Sequence, residues 1–152
     1  AIENASGKTA IDLFCGVGLF SIFLADNFEQ VLGVEANRTA IEFANKNAEH
    51  AGVSNVEFHA ERVRTFLDEN ELNEIDFVLL DPSRSGVKQG TLEKIAELNS
   101  PKITYVSCDS ATLARDLQIL LAKNYAIEKI TALDLFPQTH HVETIVTLKL
   151  DK

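Results

Sequence analysis

With 152 residues, 45% of them hydrophobic and 24% charged, the chain has the size and composition of one globular domain with its own core. A net charge of −9 argues against a large basic nucleic-acid footprint carried by these residues themselves. No apolar run approaches the roughly 20 residues of a membrane-spanning helix, and residues 1–10 carry no secretory signal. The chain contains no Met, so a piece of a longer protein is expected, forming a single catalytic domain over residues 1–152. Its two cysteines, Cys15 and Cys108, form neither a C-x-x-C nor a metal-ligand spacing, which predicts reduced thiols and a cytoplasmic setting.

Apolar runs and helical stripes alternate along the whole chain, with no repeat, low-complexity tract or linker. The first strand is predicted over about Thr9–Phe14. It runs into Cys15-Gly16-Val17-Gly18 and then a helix over Leu19–Ala25, a buried strand turning tightly into a helix. Glycines at 16 and 18 allow a sharp bend and close approach of a ligand. Ser21 stands where a dinucleotide fingerprint has its third glycine, so a nicotinamide cofactor is disfavoured and a nucleoside-type cofactor such as S-adenosylmethionine fits better. A second strand over Gln30–Val34 ends at Glu35. Asn37 caps the next helix, Ala40, Ile41, Ala44 and Ala48 form its apolar stripe, and Gly52 closes it.

Asn55–His59 reads as a third strand and Val63–Glu69 as a helix. Ile75–Leu80 is a continuous apolar run of the kind buried on both faces, ending in Asp81-Pro82-Ser83-Arg84-Ser85-Gly86. A helix over Gly90–Leu98 and a strand over Ile103–Ser107 lead to Cys108. The helix that starts near Ser110 turns Leu113, Leu117, Leu120 and Leu121 to the core. Tyr125–Leu133 and Val142–Leu150 have no helix between them and should pair antiparallel. Five β-α units followed by a hairpin form an α/β architecture with a largely parallel sheet.

In open parallel sheets ligands lie beyond the carboxyl ends of the strands. That rim receives Cys15–Gly18, Glu35, Asp81 and Cys108, and, from an antiparallel last strand, His140, His141 and Glu143. Glu35 follows the glycine turn by about 20 residues, the offset at which an acid accepts hydrogen bonds from ribose hydroxyls. Asp81 ends a strand in a rigid turn beside the first strand, a place for a cofactor or substrate contact. Cys108 sits before a helix N-terminus, where the dipole favours a thiolate, whereas Cys15 reads as packing. Adjacent histidines on a strand point to opposite faces, and no third ligand is spaced to complete a metal site, so no metal is expected. Glu143 is then a carboxylate near a thiol, a nucleophile–base pairing.

Four stretches together resemble the RNA uracil-C5 methyltransferase family, over essentially the whole chain. They are Asp12-Leu13-Phe14-Cys15-Gly16-Val17-Gly18, Leu80-Asp81-Pro82-Ser83-Arg84-Ser85-Gly86, Ser107-Cys108-Asp109-Ser110-Ala111-Thr112-Leu113-Ala114-Arg115-Asp116, and Asp134-Leu135-Phe136-Pro137-Gln138-Thr139-His140-His141-Val142-Glu143. The resemblance implies a Rossmann-like class I methyltransferase with a seven-stranded, mostly parallel sheet in the order 3-2-1-4-5-7-6. It implies S-adenosylmethionine as cofactor, Cys108 as nucleophile and Glu143 as base. Phe14, Gly16, Gly18, Glu35 and Asp81 are the implied cofactor-binding residues, Phe14, Glu35 and Asp81 lining the cofactor and uracil sites. The chain departs from the family where Asp109 and Ser110 replace the last two letters of S-C-N-P, where Ser83 interrupts the D-P-P-R or D-P-A-R pattern, and at Leu19 and Arg62, where Asn or Asp is common.

Members of this family methylate C5 of a uridine in RNA, and the glycine turn looks more like those acting on ribosomal than on transfer RNA. They carry RNA-binding regions N-terminal to this domain, in keeping with the acidic balance here. The expected partner is an RNA held mostly through regions outside this chain, with no membrane and a monomeric enzyme. RNA cytosine-C5 methylation shares a thiol attack at C6. The carboxylate of His140-His141-Val142-Glu143 and the flanks of Cys108 favour uracil. A catalytically inactive cofactor-binding scaffold is the alternative of another class, separable by the reactivity of Cys108.

Overall fold

The structure, a computed structural model, describes residues 1–134, 138 and 142–151. The elements follow as β1 (Gly7–Leu13), α1 (Leu19–Leu24), β2 (Phe28–Glu35), α2 (Arg38–Ala51), β3 (Val56–Ala60), α3 (Val63–Glu69), β4 (Phe77–Leu80), α4 (Gln89–Glu97), β5 (Lys102–Ser107), α5 (Ser110–Leu121), β6 (Tyr125–Leu133) and β7 (Glu143–Leu150). They build a seven-stranded sheet in the order β3-β2-β1-β4-β5-β7-β6. β1 to β5 pair in parallel, and β7 inserts antiparallel between β5 and β6. The expected strand order, crossover units and terminal hairpin are all observed.

Period-two alternation divides the core. On β4, Val78 and Leu80 join one apolar cluster with Ile11, Leu13 and Tyr105, covered by Phe66 of α3, Ile95 of α4 and Leu117 and Leu120 of α5. Phe77 and Leu79 point the other way, to Ala10, Val31 and Leu24 of α1. Because β4 has helices or chain on both sides, every one of its residues is buried, which is why it reads as an unbroken apolar run. Asn37 caps α2 by accepting from Thr39 N and Ala40 N, and Gly52 ends it in the left-handed region.

Leu121 is 41% exposed, against the expectation that it faces the core. Leu113, Leu117 and Leu120 already fill the inward stripe, and the next residue turns about 100° away from it. β4 also begins two residues later than Ile75. The Asp76 carboxylate instead accepts from Lys8 N (2.6 Å) and Thr9 N (3.1 Å), tying the entry of β4 to the start of β1.

Candidate active site

β1 delivers the chain to a turn that its neighbours shape. Phe14 N and Cys15 N both donate to the Val34 carbonyl of β2 (2.9 and 3.1 Å), and Gly18 N donates to Cys15 O (2.8 Å). The turn holds Phe14 at φ 67°, Gly16 at 54° and Gly18 at 82°. A bulky side chain in the left-handed region costs about 1–3 kcal/mol, a strain that clusters at functional positions. Phe14 stays half-buried against the core and lines a cavity of about 700 Å³ with Arg62, Arg64, Ser83 and Lys88.

The two glycines serve different purposes. No atom lies within 4 Å of where a Gly16 Cβ would stand, so that residue opens onto free space. A Cβ on Gly18 would lie 2.8 Å from Phe58 Cζ and 3.1 Å from Ala44 Cβ, so packing of β3 and α2 demands a glycine there. Cys15 is buried, and its thiol is pushed up by burial and then by the Asp12 and Glu35 charges, which keeps it protonated.

Asp12, within the glycine-turn motif, is the residue whose role was not visible from the pattern. It is fully buried at the centre of the sheet, and Ser21 Oγ donates to its Oδ2 (2.6 Å). Ser21, in place of a third glycine, thus supplies the hydroxyl that Asp12 needs. Asp12 Oδ1 has no hydrogen-bond partner among the described residues. Burial, with a contribution from the Asp81 charge, pushes the carboxyl up to about 7. A folded-state value above the unfolded one means that the folded protein holds this proton more tightly, so the group's contribution to stability falls as pH rises. The melting midpoint of wild type minus that of Asp12→Asn should therefore decline between about pH 4 and pH 7 and level off above. A difference that rises over this range would contradict the assignment.

Glu35 closes β2, and its Oε1 accepts from Asn37 N (2.8 Å). Its Oε2 has no partner among the described residues. Asp81 follows β4, its N donating to Leu13 O (3.3 Å), which places it beside the glycine turn. Burial and then the Glu143 charge push its carboxyl up to about 6, so these two acids share one neighbourhood.

Cys108 follows β5 and is half-buried. Ser107 Oγ donates to Asp109 O (3.0 Å) and accepts from Asp109 N (3.1 Å), a bracket around the cysteine. Asp109 caps α5, accepting from Ala111 N (3.0 Å) and Thr112 N (2.9 Å), and the Thr112 N–H leads the contacts that hold its carboxyl below the usual range. An aspartate in place of the family's asparagine is thereby accommodated as a helix cap. Ser107 pairs with Thr144 in the antiparallel β5–β7 ladder, so Cys108 and Glu143, the first residue of β7, each adjoin a member of that pair.

Leu19 is 58% exposed, and Arg62 is an exposed N-cap of α3 with no side-chain capping bond. His140 and His141, like most of Asp134–Glu143, lie outside the described residues. Among the described residues no three His, Cys, Asp or Glu side chains are grouped to hold a metal, and no helix is long and apolar enough to cross a membrane.

A family described as tRNA (uracil-5-)-methyltransferase matches residues 1–151. The chain belongs to this family. Among its relatives, the 23S rRNA (uracil(1939)-C(5))-methyltransferase RlmD of Colwellia psychrerythraea is 44% identical over 139 residues, 90% of this chain and 29% of that protein. The RlmD of Shewanella frigidimarina is 40% identical over 151 residues, 99% of this chain and 33% of that protein. The crystal structure of Pyrococcus abyssi tRNA (uracil-54, C5)-methyltransferase in complex with S-adenosyl-L-homocysteine superposes with a TM-score of 0.82 at 36% identity, over 94% of this chain and 34% of that one. The chain thus spans about a third of the length of the proteins it matches.

Proposed function

We propose that this domain is the catalytic part of an S-adenosylmethionine-dependent enzyme that methylates C5 of a uridine in RNA, with ribosomal RNA favoured over transfer RNA. One observation carries the reading: the β5–β7 ladder runs to Ser107 and Thr144, the neighbours of Cys108 and Glu143, and the Glu143 charge acts on Asp81, so all three groups are drawn to one end of the sheet. The 36% identity to a structure bound to S-adenosyl-L-homocysteine supports the cofactor. So do the residues here: an open Gly16, a Glu35 oxygen without a partner, and the orphaned Asp12 Oδ1 beneath the turn.

When bound, S-adenosylmethionine supplies an electrophilic methyl group on its sulfonium. The chain's own task is to make the acceptor carbon reactive. Uracil C5 is a weak nucleophile. The Cys108 thiolate adds to C6, the C5–C6 π electrons move towards C5 and the O4 carbonyl, and C5 gains carbanion character. After C5 is methylated, Glu143 removes its remaining proton. The electron pair re-forms the C5–C6 double bond, the C6–sulfur bond breaks, and the thiolate is regenerated with the proton on Glu143. Asp81 would hold the uracil edge or the cofactor between these groups. A base must leave its stack to reach this rim, which favours a single-stranded or loop uridine.

Mapping 5-methyluridine in total RNA from a strain lacking the gene tests this reading. One ribosomal uridine should lose its methyl group and regain it on complementation; an unchanged map would refute the proposal. Two further results are expected. Calorimetry should show S-adenosyl-L-homocysteine binding that Glu35→Ala weakens by about 1–3 kcal/mol, the cost of lost hydrogen bonds to a partly buried carboxylate; tighter binding of NAD would contradict it. With a net charge of −9, residues 1–152 should bind RNA weakly by themselves, and the intact protein should bind more tightly with a steep salt dependence. Strong specific RNA binding by residues 1–152 alone would count against that division of labour.

A further inference from the structure

The catalytic scheme above uses Asp81 and Cys108 but leaves unexplained a buried acid between the segments that carry them. Asp116, in α5, is fully buried. Its Oδ2 accepts from Val87 N (2.7 Å) and from Tyr105 Oη (2.6 Å). Its Oδ1 accepts from Arg115 Nε (2.8 Å) and Nη2 (2.7 Å). Arg115 Nη2 in turn donates to Ser85 O (3.0 Å). Gly86 passes so close that a Cβ there would lie 2.5 Å from Asp116 Oδ2, and its φ of 69° is one that side chains rarely adopt. A second tie runs parallel to the first, Thr112 Oγ1 donating to Arg84 O (3.0 Å).

These contacts join segments that meet nowhere else in sequence. Residues 82–88 leave directly from Asp81. Tyr105 lies on β5 just before Cys108, and α5 begins just after it. A buried carboxylate costs several kcal/mol unless fully paired, and an apolar side chain could fill the same space without that cost. What an apolar residue could not do is bind the Val87 amide and the Tyr105 hydroxyl at once.

We propose that Asp116 is a positioning residue that sets the Asp81 loop against the Cys108 turn, so that the thiol and the Asp81 carboxyl meet the same base in the right relation. The inference rests on the roles given above to Cys108 and Asp81. It extends to Tyr105 and Arg115 as the groups through which Asp116 acts, and it gives the Arg115-Asp116 end of the cysteine motif and Gly86 of the aspartate motif one shared purpose.

The test uses the intact protein with Tyr105→Phe, which removes one donor and keeps the ring, and Asp116→Asn, which keeps the shape and loses the charge. Turnover is expressed per active site, titrated by covalent capture of RNA carrying 5-fluorouridine, so that a misfolded fraction does not count. Per titrated site, kcat should fall about 10-fold in Tyr105→Phe and about 100-fold in Asp116→Asn, the scale of an ångström misplacement of reacting groups. Affinity for S-adenosyl-L-homocysteine should fall by far less than kcat, since the glycine turn and Glu35 are untouched and only the Asp81 loop shifts. If Asp116→Asn does not fold, Tyr105→Phe decides. An unchanged kcat per site would overturn the proposal, and so would cofactor affinity falling by the same factor as kcat, the mark of general loosening. Cys108→Ala separates the two levels: if it still makes product, the catalytic reading itself falls and this inference with it. If it is inactive while both other variants turn over normally, only this inference falls.

Discussion

In the intact protein, Cys108→Ala should lose 5-methyluridine formation by at least about 10⁴-fold, the scale on which removal of a covalent nucleophile acts. It should also form no covalent RNA complex under any condition. The loss is expected to be this large because the chain has only one other thiol to offer. Cys15, the other cysteine, is buried inside the turn with its proton affinity raised by burial and two neighbouring acids. Cofactor affinity should be retained, since Cys108 lies on β5's end while the glycine turn lies on β1's. The measurement is product per hour by nucleoside mass spectrometry alongside calorimetry. Residual product within about 10-fold of wild type, a smaller loss than removing even one general acid–base group brings, would remove Cys108 from the mechanism.

Glu143→Gln should fail later and differently. The amide keeps the size and some of the hydrogen bonding of the carboxylate but cannot accept the C5 proton. Turnover should fall by about 10²–10⁴-fold, the contribution of a positioned base. The methylated base should remain attached, so that RNA stays on the protein through denaturing electrophoresis. The substitution also removes one of the two causes that raise the Asp81 carboxyl, leaving burial alone. Any titration of cofactor binding that reports Asp81 should then shift to lower pH in the variant, because a carboxyl freed from a neighbouring negative charge gives up its proton more readily. A Glu143→Gln enzyme that releases product at the wild-type rate, or that accumulates no adduct while Cys108→Ala is inactive, would assign the base elsewhere.

The fold was legible because its signals are local. Apolar runs mark the strands, Asn37 and Gly52 bracket α2 through capping that depends only on near neighbours, and two strands in succession without a helix announce the hairpin. The errors arose where distant residues decide. β1 starts at Gly7 because that residue pairs with Phe28 of β2, and β4 starts only at Phe77, after the Asp76 side chain has reached across to the Lys8 and Thr9 amides; both contacts join residues apart in sequence. Leu121 looked like core from its composition, but the helix had already filled its inward face.

The candidate site divides in the same way. Glycine spacing, an acid about 20 residues later and a cysteine before a helix are visible in the letters. That Gly18 also has Phe58 and Ala44 packed against it is a matter of tertiary structure. Ser21 read only as a missing glycine, whereas the fold makes it the hydrogen-bond donor to Asp12. Asp116 enters the sequence only as the last letter of the cysteine motif, and the approach of Val87 and Tyr105 reveals what it joins. A signal was nonetheless present: an acid at an inward position of an apolar stripe must have partners, and Arg115 beside it and the amide after Gly86 are among them.

The central claim is that the Cys108 sulfur bonds to C6 of a uridine, and the direct measurement is where that bond forms. The intact protein is incubated with S-adenosylmethionine and RNA carrying 5-fluorouridine at the target, whose fluorine cannot leave as a proton does. The adduct is then digested and mapped by mass spectrometry. The account predicts a methylated fluorouridine on the peptide containing Cys108, dependent on S-adenosylmethionine and absent from Cys108→Ala. An adduct on Cys15, or none on an enzyme that still makes 5-methyluridine from ordinary RNA, would contradict it.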